Sequence, residues 1–398
     1  MAYSTFRMAA TLGLLTVVGP FAVDMYLPAL PAIARDFDTS VAATQATLTT
    51  YLLGFGIAQL VYGPWSDQVG RRVPLYAGLG VFVLGSLGCA TAQSVEWMLA
   101  GRFVQGVGGA AVMVIPRAII RDMHTGTAAT RLTALVMLVV SVSPMLAPLI
   151  GSLLMLAGSW RSIFALISVY AVLGLFLARF ALAETLTPAR RIPVNTTNMV
   201  AGIRMLLSSR SFITLTFVSG FGMASFLVFI AGGSFVYTQE FGLSPMQFSL
   251  AFACNAVGFF AASQIAAPLG TRYGMQSVVR LATAGFALSA VALLILALVG
   301  AVTLWVLVGM LVVTNAFLGL MIPTTIVMAL DEHGDIAGLA SSLGGTLQMA
   351  AGAGMITVFG PFFDGTATPM IAAIALCATT AFVMSQLAPK RTVAASSG

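Results

Sequence analysis

The sequence predicts an all-α membrane protein: twelve transmembrane helices arranged as two pseudo-symmetric six-helix bundles. Three observations carry that prediction. Of 398 residues, 59% are hydrophobic and only 8% charged, where a soluble domain carries about a quarter charged residues. The mean hydropathy is +1.01. Long apolar runs alternate with short polar turns, and the cations gather on every second turn.

A helix spanning a bilayer needs about 20 apolar residues. The first such run covers 8–33, with Arg7 before it. It continues well past the apolar region of a secretory signal and has no clear small-residue cleavage site, so it is expected to be a retained first span. The next five lie near 44–64, 74–92, 97–121, 131–157 and 160–183. A more polar stretch from Glu184 to Arg210 follows, holding Pro188, Arg190, Arg191, Pro193, Asn195, Asn198 and Arg204. Six further runs lie near 211–237, 245–270, 277–299, 302–328, 338–360 and 367–388. The expected organisation is an N-terminal bundle over 1–183, a cytoplasmic linker over 184–210, and a C-terminal bundle with a short tail over 211–398.

The segment Gly63-Pro64-Trp65-Ser66-Asp67-Gln68-Val69-Gly70-Arg71-Arg72 interrupts the apolar pattern most sharply. Turn backbone cannot stay unsatisfied in lipid, so it belongs at a water boundary. Arginine-rich short loops stay cytoplasmic. One side of the bilayer collects Arg7, Arg71, Arg72, Arg121, Arg131, Arg190, Arg191, Arg204, Arg210, Arg272, Arg280, Lys390 and Arg391; the other has Arg35 and Arg161. Both termini are therefore expected in the cytoplasm, with the chain in a bacterial inner membrane. A related turn, Ala267-Pro268-Leu269-Gly270-Thr271-Arg272-Tyr273-Gly274, follows the second span of the second half, a trace of internal repetition. Repeated six-span halves are the plan of a transporter whose site lies between the halves at mid-membrane.

Other classes find little support. The net charge of +6 comes with no basic stripe interleaved with aromatics, so no nucleic-acid partner is expected. Cys89, Cys254 and Cys377 lie far apart in apolar runs and read as packing residues. Asp331-Glu332-His333-Gly334-Asp335 has no further His or Cys converging on it, so it is read as a solvated loop and no metal site is expected. His124 is given no chemical role. There is no Gly-x-x-x-x-Gly-Lys-Ser/Thr loop for direct ATP drive.

Three motifs give the chain a family likeness. Gly63, Asp67, Gly70, Arg71 and Arg72 fit G-x-x-x-D-x-x-G-R-R/K after span two. Arg102-Phe103-Val104-Gln105-Gly106-Val107-Gly108-Gly109-Ala110 fits R-x-x-Q-G-x-G-x-A in span four, and Asp24-Met25-Tyr26-Leu27-Pro28-Ala29 fits D-M-Y-L-P-A in span one. On these residues the whole chain resembles the major facilitator superfamily, and within it the proton-coupled drug exporters of the Bcr/CflA type, which include chloramphenicol, florfenicol and bicyclomycin exporters. Span five departs from the exporter pattern G-x-x-x-G-P-x-x-G-G. It reads Ser143-Pro144-Met145-Leu146-Ala147-Pro148-Leu149-Ile150-Gly151-Ser152. Pro144, Ala147, Pro148 and Gly151 keep the small, kinked character, because Gly, Ala and Ser all let helices approach closely.

Charges inside spans are costly and therefore functional candidates. The first half has Asp24 and Arg102, with Arg117 and Arg179 nearer the cytoplasmic ends; the second half has only polar groups such as Asn255, Gln264, Asn315 and Gln348. Asp24 lies roughly 16 residues up an outward helix, about 24 Å at 1.5 Å per residue. Arg102 lies about five residues, roughly 8 Å, into the inward span four. The two are thus expected at similar depth, facing one cavity and interacting directly or through water, with Asp24 coupling a proton to transport. The plainer alternative is a fixed pair that holds spans one and four together. Desolvation would favour the protonated acid and Arg102 the carboxylate.

The likeness implies that Asp67 latches the cytoplasmic side, reaching the start of span eleven and Arg71 or Arg121; a solvated turn acid is the alternative. Pro20, Pro28 and Pro31 break span one around Asp24, either freeing carbonyls to line a cavity or simply kinking the helix. Tyr26, Tyr51, Phe55, Gln59, Met113, Phe226, Phe229, Tyr237, Asn255, Phe259, Asn315 and Met349 are the candidates for drug contact, since aromatic and methionine surfaces suit promiscuous binding.

The expected function is proton-driven export of small amphipathic drugs by a monomer, with no cofactor and with drug, protons and lipid as its only partners. A nutrient or metabolite carrier is the alternative within transport. A membrane-embedded enzyme lacks clustered acid and His ligands at one face, and a channel would not need two six-span halves.

Overall fold

The computed structural model describes residues 5–124, 126–191 and 196–388. Lys390 and Arg391, counted above among the cytoplasmic cations, lie outside these, as do Pro193 and Asn195. Fifteen α-helices and a few short 3-10 and π turns account for nearly all the described residues, and no strand occurs among them.

The first span is broken. α1 (Thr5–Asp24) carries Pro20 within it and ends at Asp24. A 3-10 turn at Leu27–Ala29 leads into α2 (Leu30–Asp36). Pro28 and Pro31 sit at the starts of these pieces, where a missing N–H costs nothing. α3 (Val41–Val69) starts at the Ser40 N-cap, whose hydroxyl accepts from Ala43 N. α4 (Arg72–Ala90), α5 (Val95–Met123, N-capped by Ser94), α6 (Gly126–Ser141), α7 (Ser143–Ala157) and α8 (Arg161–Ala181) follow. α6 and α7 together make span five, interrupted at Val142 ahead of Pro144. α9 (Thr196–Ser208) lies within the linker.

The second series is α10 (Arg210–Phe235) with a π turn over Val236–Glu240, α11 (Pro245–Tyr273), α12 (Met275–Leu298), α13 (Leu304–Asp331), α14 (Ala337–Phe359) and α15 (Ala367–Leu387). Eleven of these segments are long and apolar enough to cross a membrane. The twelfth span corresponds to α14, 23 residues that include five glycines, with serines, threonines and a glutamine. It packs between α3 and α10 rather than against lipid alone.

The hinted repeat has a structural counterpart. α3 and α11 are both 29 residues long, each with a proline six residues before the glycine that ends it, Pro64–Gly70 and Pro268–Gly274. Both glycines have positive φ, 104° and 84°, which glycine adopts without steric cost. This corrects the sequence-based turn over Gly63–Arg72. Gly63–Val69 remain helical, Pro64 being tolerated in the last turns of α3, and the chain turns only at Gly70 and Arg71.

Helices α1 to α8 pack mainly on one another, α3 and α4 on α5, and α4 on α8; α10 packs on α14 and α15, and α11 on α13. Small residues permit the closest crossings. A Cβ on Gly106 of α5 would run into the Tyr51 carbonyl of α3. The two series meet through α3 with α14 and α7 with α11.

Candidate functional site

Four residues, Phe55, Met113, Met223 and Met349, form a shared wall between two cavities in the middle of the bundle. The first, of about 290 Å³, is almost wholly apolar. Tyr51, Phe226, Phe259 and Pro144 line it, and Asp24 is its one ionisable acid. The second, of about 230 Å³, lies toward the end of the bundle that carries Arg71 and is more polar, with Gln59, Ser219, Gln348 and Arg117 on its wall.

Asp24 is buried, with 5% of its surface exposed. It stands where α1 ends, because the prolines downstream prevent the α-helix from continuing through Met25 to Ala29. Ser143, at the start of α7, is the hydroxyl beside it, and no cation pairs with it among the described residues.

Of the two forms of interaction expected from their depths, direct or through water, the direct pair between Arg102 and Asp24 is absent. The guanidinium is fully buried and takes other partners. Nη1 donates to the Ala22 carbonyl at 3.0 Å and to Gln105 Oε1 at 2.5 Å, and Gln105 Nε2 in turn donates to Ser86 Oγ at 2.8 Å. Its carbon lies 4.6 Å and 4.5 Å from the ring centroids of Tyr26 and Tyr51. The break in α1 is the physical reason: a carbonyl at the end of the helix takes the arginine, and two tyrosine faces cover the cation. Arg102 thus ties span one to span four through backbone, and Tyr51 stands between it and the cavity that holds Asp24.

Of the residues expected to contact drug, Tyr51, Phe55, Gln59, Met113, Phe226, Phe259 and Met349 line the cavities. Tyr26, Phe229, Tyr237, Asn255 and Asn315 do not. Tyr26 is enclosed between Arg102 and Phe164, with its hydroxyl on Thr47. Phe229 stacks on Phe252 at 5.6 Å. Tyr237 packs on Phe248, while Asn315 Nδ2 donates to Asn255 Oδ1 at 3.2 Å. Met223, shared by both cavities, is among the lining residues that the sequence reading missed, with Ser219, Phe260 and Ile322; it lies in a stretch of α10 rich in Phe and small residues, so periodicity did not single it out.

The small-residue element on α7 touches both series of helices. Pro144 reaches the apolar cavity. Ala147 is buried, and a Cβ on Gly151 would strike the Met25 carbonyl in the break of α1. The Pro148 carbonyl accepts from Ser249 Oγ of α11 at 2.9 Å, and Ser152 Oγ meets Ser249 Oγ at 2.7 Å. Gln45 Nε2 adds a bond to the Ala231 carbonyl at the same end.

At the opposite end, Arg71 forms a bidentate pair with Asp122, at 2.7 Å and 3.0 Å, and bonds Asp67 and Ser66 through Nη1. Burial works against the charge of Arg71, but the bonds and charges of Asp122 and Asp67 outweigh it, and its proton is held more tightly than in free arginine. The Glu184 carboxylate accepts from Arg71 N at 2.9 Å and Arg72 N at 3.1 Å, closing the start of α4. Arg72 itself turns to Tyr76 Oη. Asp67 faces a cleft of about 490 Å³ shared with Gly63, Arg121, Gly338 and Met199 of α9. Arg121 approaches Gly338, in the first turn of α14. Asp67 thus lies beside both arginines expected near it, bonded to Arg71 and sharing the cleft with Arg121, while Asp122 and Glu184 were missed. The signal was present: the chain has twelve acids in 398 residues, so each one beside a cationic turn counts. His333, read as part of a solvated loop, instead packs edge-on against Phe212 at 5.6 Å, and no metal-binding group occurs among the described residues.

The sequence pattern of the Major Facilitator Superfamily matches residues 12–357. The chain belongs to this superfamily. It is 33% identical over 365 residues to the MFS-type transporter YdgK of Bacillus subtilis, covering 91% of this chain and 90% of that protein. It is 31% identical over 377 residues to a bicyclomycin resistance protein homolog of Haemophilus influenzae, 94% of each. A D-xylose-proton symporter has the same fold, with a TM-score of 0.77 over 96% of this chain and 98% of that one at 16% identity. The superfamily member described here is thus a multi-pass membrane transporter.

Proposed function

We propose that the protein exports small amphipathic drugs of the chloramphenicol class in exchange for protons, by alternating access across the bacterial inner membrane, with both termini in the cytoplasm. The observation that carries this reading is a single buried carboxylate, Asp24, without a cationic partner, on the wall of an apolar cavity between the two series of helices. The name of the Haemophilus influenzae relative points the same way.

The chemistry follows from what a desolvated carboxylate prefers. With the cavity empty, carrying a charge there is costly, and Asp24 holds a proton. A substrate O–H or N–H that bonds the carboxylate stabilises the charged form and releases that proton. Drug and proton then alternate on one site, and the imposed gradient drives the drug outward. No cofactor is needed, and a monomer suffices. Residues 1–183 and 211–398 move as two bodies about the linker, closing at one end through Ser152 and Ser249 and at the other through the Asp67 cleft.

The test uses purified protein in liposomes with an imposed pH gradient and labelled chloramphenicol. Uptake that follows the gradient, lost in Asp24→Asn while gradient-independent exchange of drug persists, is the expected result. Uptake indifferent to the gradient would sink the antiport reading and favour a facilitator for a nutrient or metabolite.

A further inference from the structure

The more polar of the two central cavities has features that an apolar drug pocket does not need. Arg117 stands in its open space, about 9 Å from the Arg71 end of α5 at 1.5 Å per residue. Its recorded bond is a weak one, Nη2 to Met113 Sδ at 3.3 Å. No Asp or Glu occurs among the residues lining this cavity. Arg121, one turn further on, adds positive potential. The amide of Gln59, only 5% exposed, places an Nε2 donor here that has no hydrogen-bond partner. Gln348 Nε2 and Ser219 Oγ, bonded to each other at 3.0 Å, face the same space.

A cation within a spanning helix is costly unless something uses it, and a buried amide donor left unpaired costs free energy until a ligand supplies an acceptor. We infer that this cavity is the head-group subsite of the transporter, built for an anionic or acceptor-only group such as a carboxylate, nitro or clustered carbonyl group. Arg117 supplies the charge-assisted bond and Gln59 the neutral donor. The substrate's apolar body lies across Phe55, Met113, Met223 and Met349 into the neighbouring cavity, where its own hydrogen-bond donor meets Asp24. The substrate class is therefore an amphiphile with an acceptor at one end and a donor at the other, and lipophilic cations are excluded by Arg117. This inference rests on the efflux reading for its substrate class, but the subsite is defined by binding alone.

The test is equilibrium binding at one fixed pH, without any gradient, to the full-length protein in nanodiscs. Three probes span the charge range: fusidate, a carboxylate amphiphile; chloramphenicol, neutral with a nitro group; and tetraphenylphosphonium, a lipophilic cation. Fusidate and chloramphenicol are expected to bind roughly tenfold or more tightly than the cation. Arg117→Ala should weaken fusidate by a similar factor, Arg117→Lys should restore most of it, and Arg117→Glu should reverse the preference in favour of tetraphenylphosphonium. Gln59→Leu should weaken chloramphenicol severalfold. The proposal is overturned if the unmodified protein prefers the cation or ranks the three alike, a result that needs no variant to fold. It is also overturned if Arg117→Ala leaves fusidate binding unchanged. Failure of gradient-driven transport would remove the antiport reading and leave this binding result standing.

Discussion

The guanidinium of Arg102 lies 4.5 Å from the ring centroid of Tyr51, and the same tyrosine forms part of the cavity wall that holds Asp24. A buried acid and a buried cation are thus separated by one aromatic ring rather than joined as an ion pair. Tyr51 also anchors α1, donating its hydroxyl to the Gly19 carbonyl at 3.2 Å.

Tyr51→Phe keeps the ring over Arg102 and loses only that bond. It should cost about 1 kcal/mol and leave coupling intact. Tyr51→Ala uncovers the cation to the cavity and removes a cation–π contact worth about 2 kcal/mol when desolvated. It should lower the melting temperature further and allow drug uptake without proton exchange. Thermal unfolding together with liposome uptake separates the two variants.

The arginine network makes an ordered prediction. Arg71 and Asp122 are both largely buried, with side chains 6% and 7% exposed, whereas Asp67 is 44% exposed. Asp122→Ala leaves a buried cation with one exposed partner and should destabilise by about 3 kcal/mol. Asp67→Asn should cost under about 1 kcal/mol while slowing turnover, because it faces the cleft beside α14. Equal stability losses, or an unaltered turnover in Asp67→Asn, would contradict this division of labour.

Ser152 and Ser249 approach within 2.7 Å across the two series of helices. Replacing both with cysteine, in a background where Cys254 (exposed, unlike buried Cys89 and Cys377) is serine, should allow a disulfide. Its formation under oxidising conditions should arrest transport, and reductant should restore it. Transport that continues with the crosslink formed would show that this contact does not open during the cycle.

Gly151 meets the Met25 carbonyl in the break of α1. Gly151→Val should force α7 away from α1 and abolish transport, whereas Gly344→Ala, where a Cβ meets nothing within 4 Å, should fold normally. Chromatographic homogeneity and uptake report both outcomes.

The spans were readable because apolar length is a coarse property that tolerates error at the ends. Asp24, Arg102 and Asp67 stood out because a charge is rare in such a chain. The azimuth of each side chain was not readable. Depth arithmetic placed Asp24 and Arg102 at similar heights, but the 3-10 break after α1 redirects the chain, and the arginine found backbone instead of the acid. For the same reason, Tyr26 and Phe229 sit at the right height for a cavity and face protein. Asp122 and Glu184 escaped notice because their partner, Arg71, comes close only through tertiary packing.

α14 has a consequence for biogenesis. Its glycines and hydroxyls suit contact with α3, where Thr346 Oγ1 donates to the Gly56 carbonyl at 2.7 Å, and suit lipid less well. Such a segment partitions poorly into a bilayer by itself and gains its stability from protein neighbours. Its most intimate neighbour, α3, was synthesised nearly three hundred residues earlier. Completing the insertion of α14 and joining the end of the chain to its beginning are therefore one step. A chain from which α3 has been deleted should leave α14 exposed to the cell's membrane quality control.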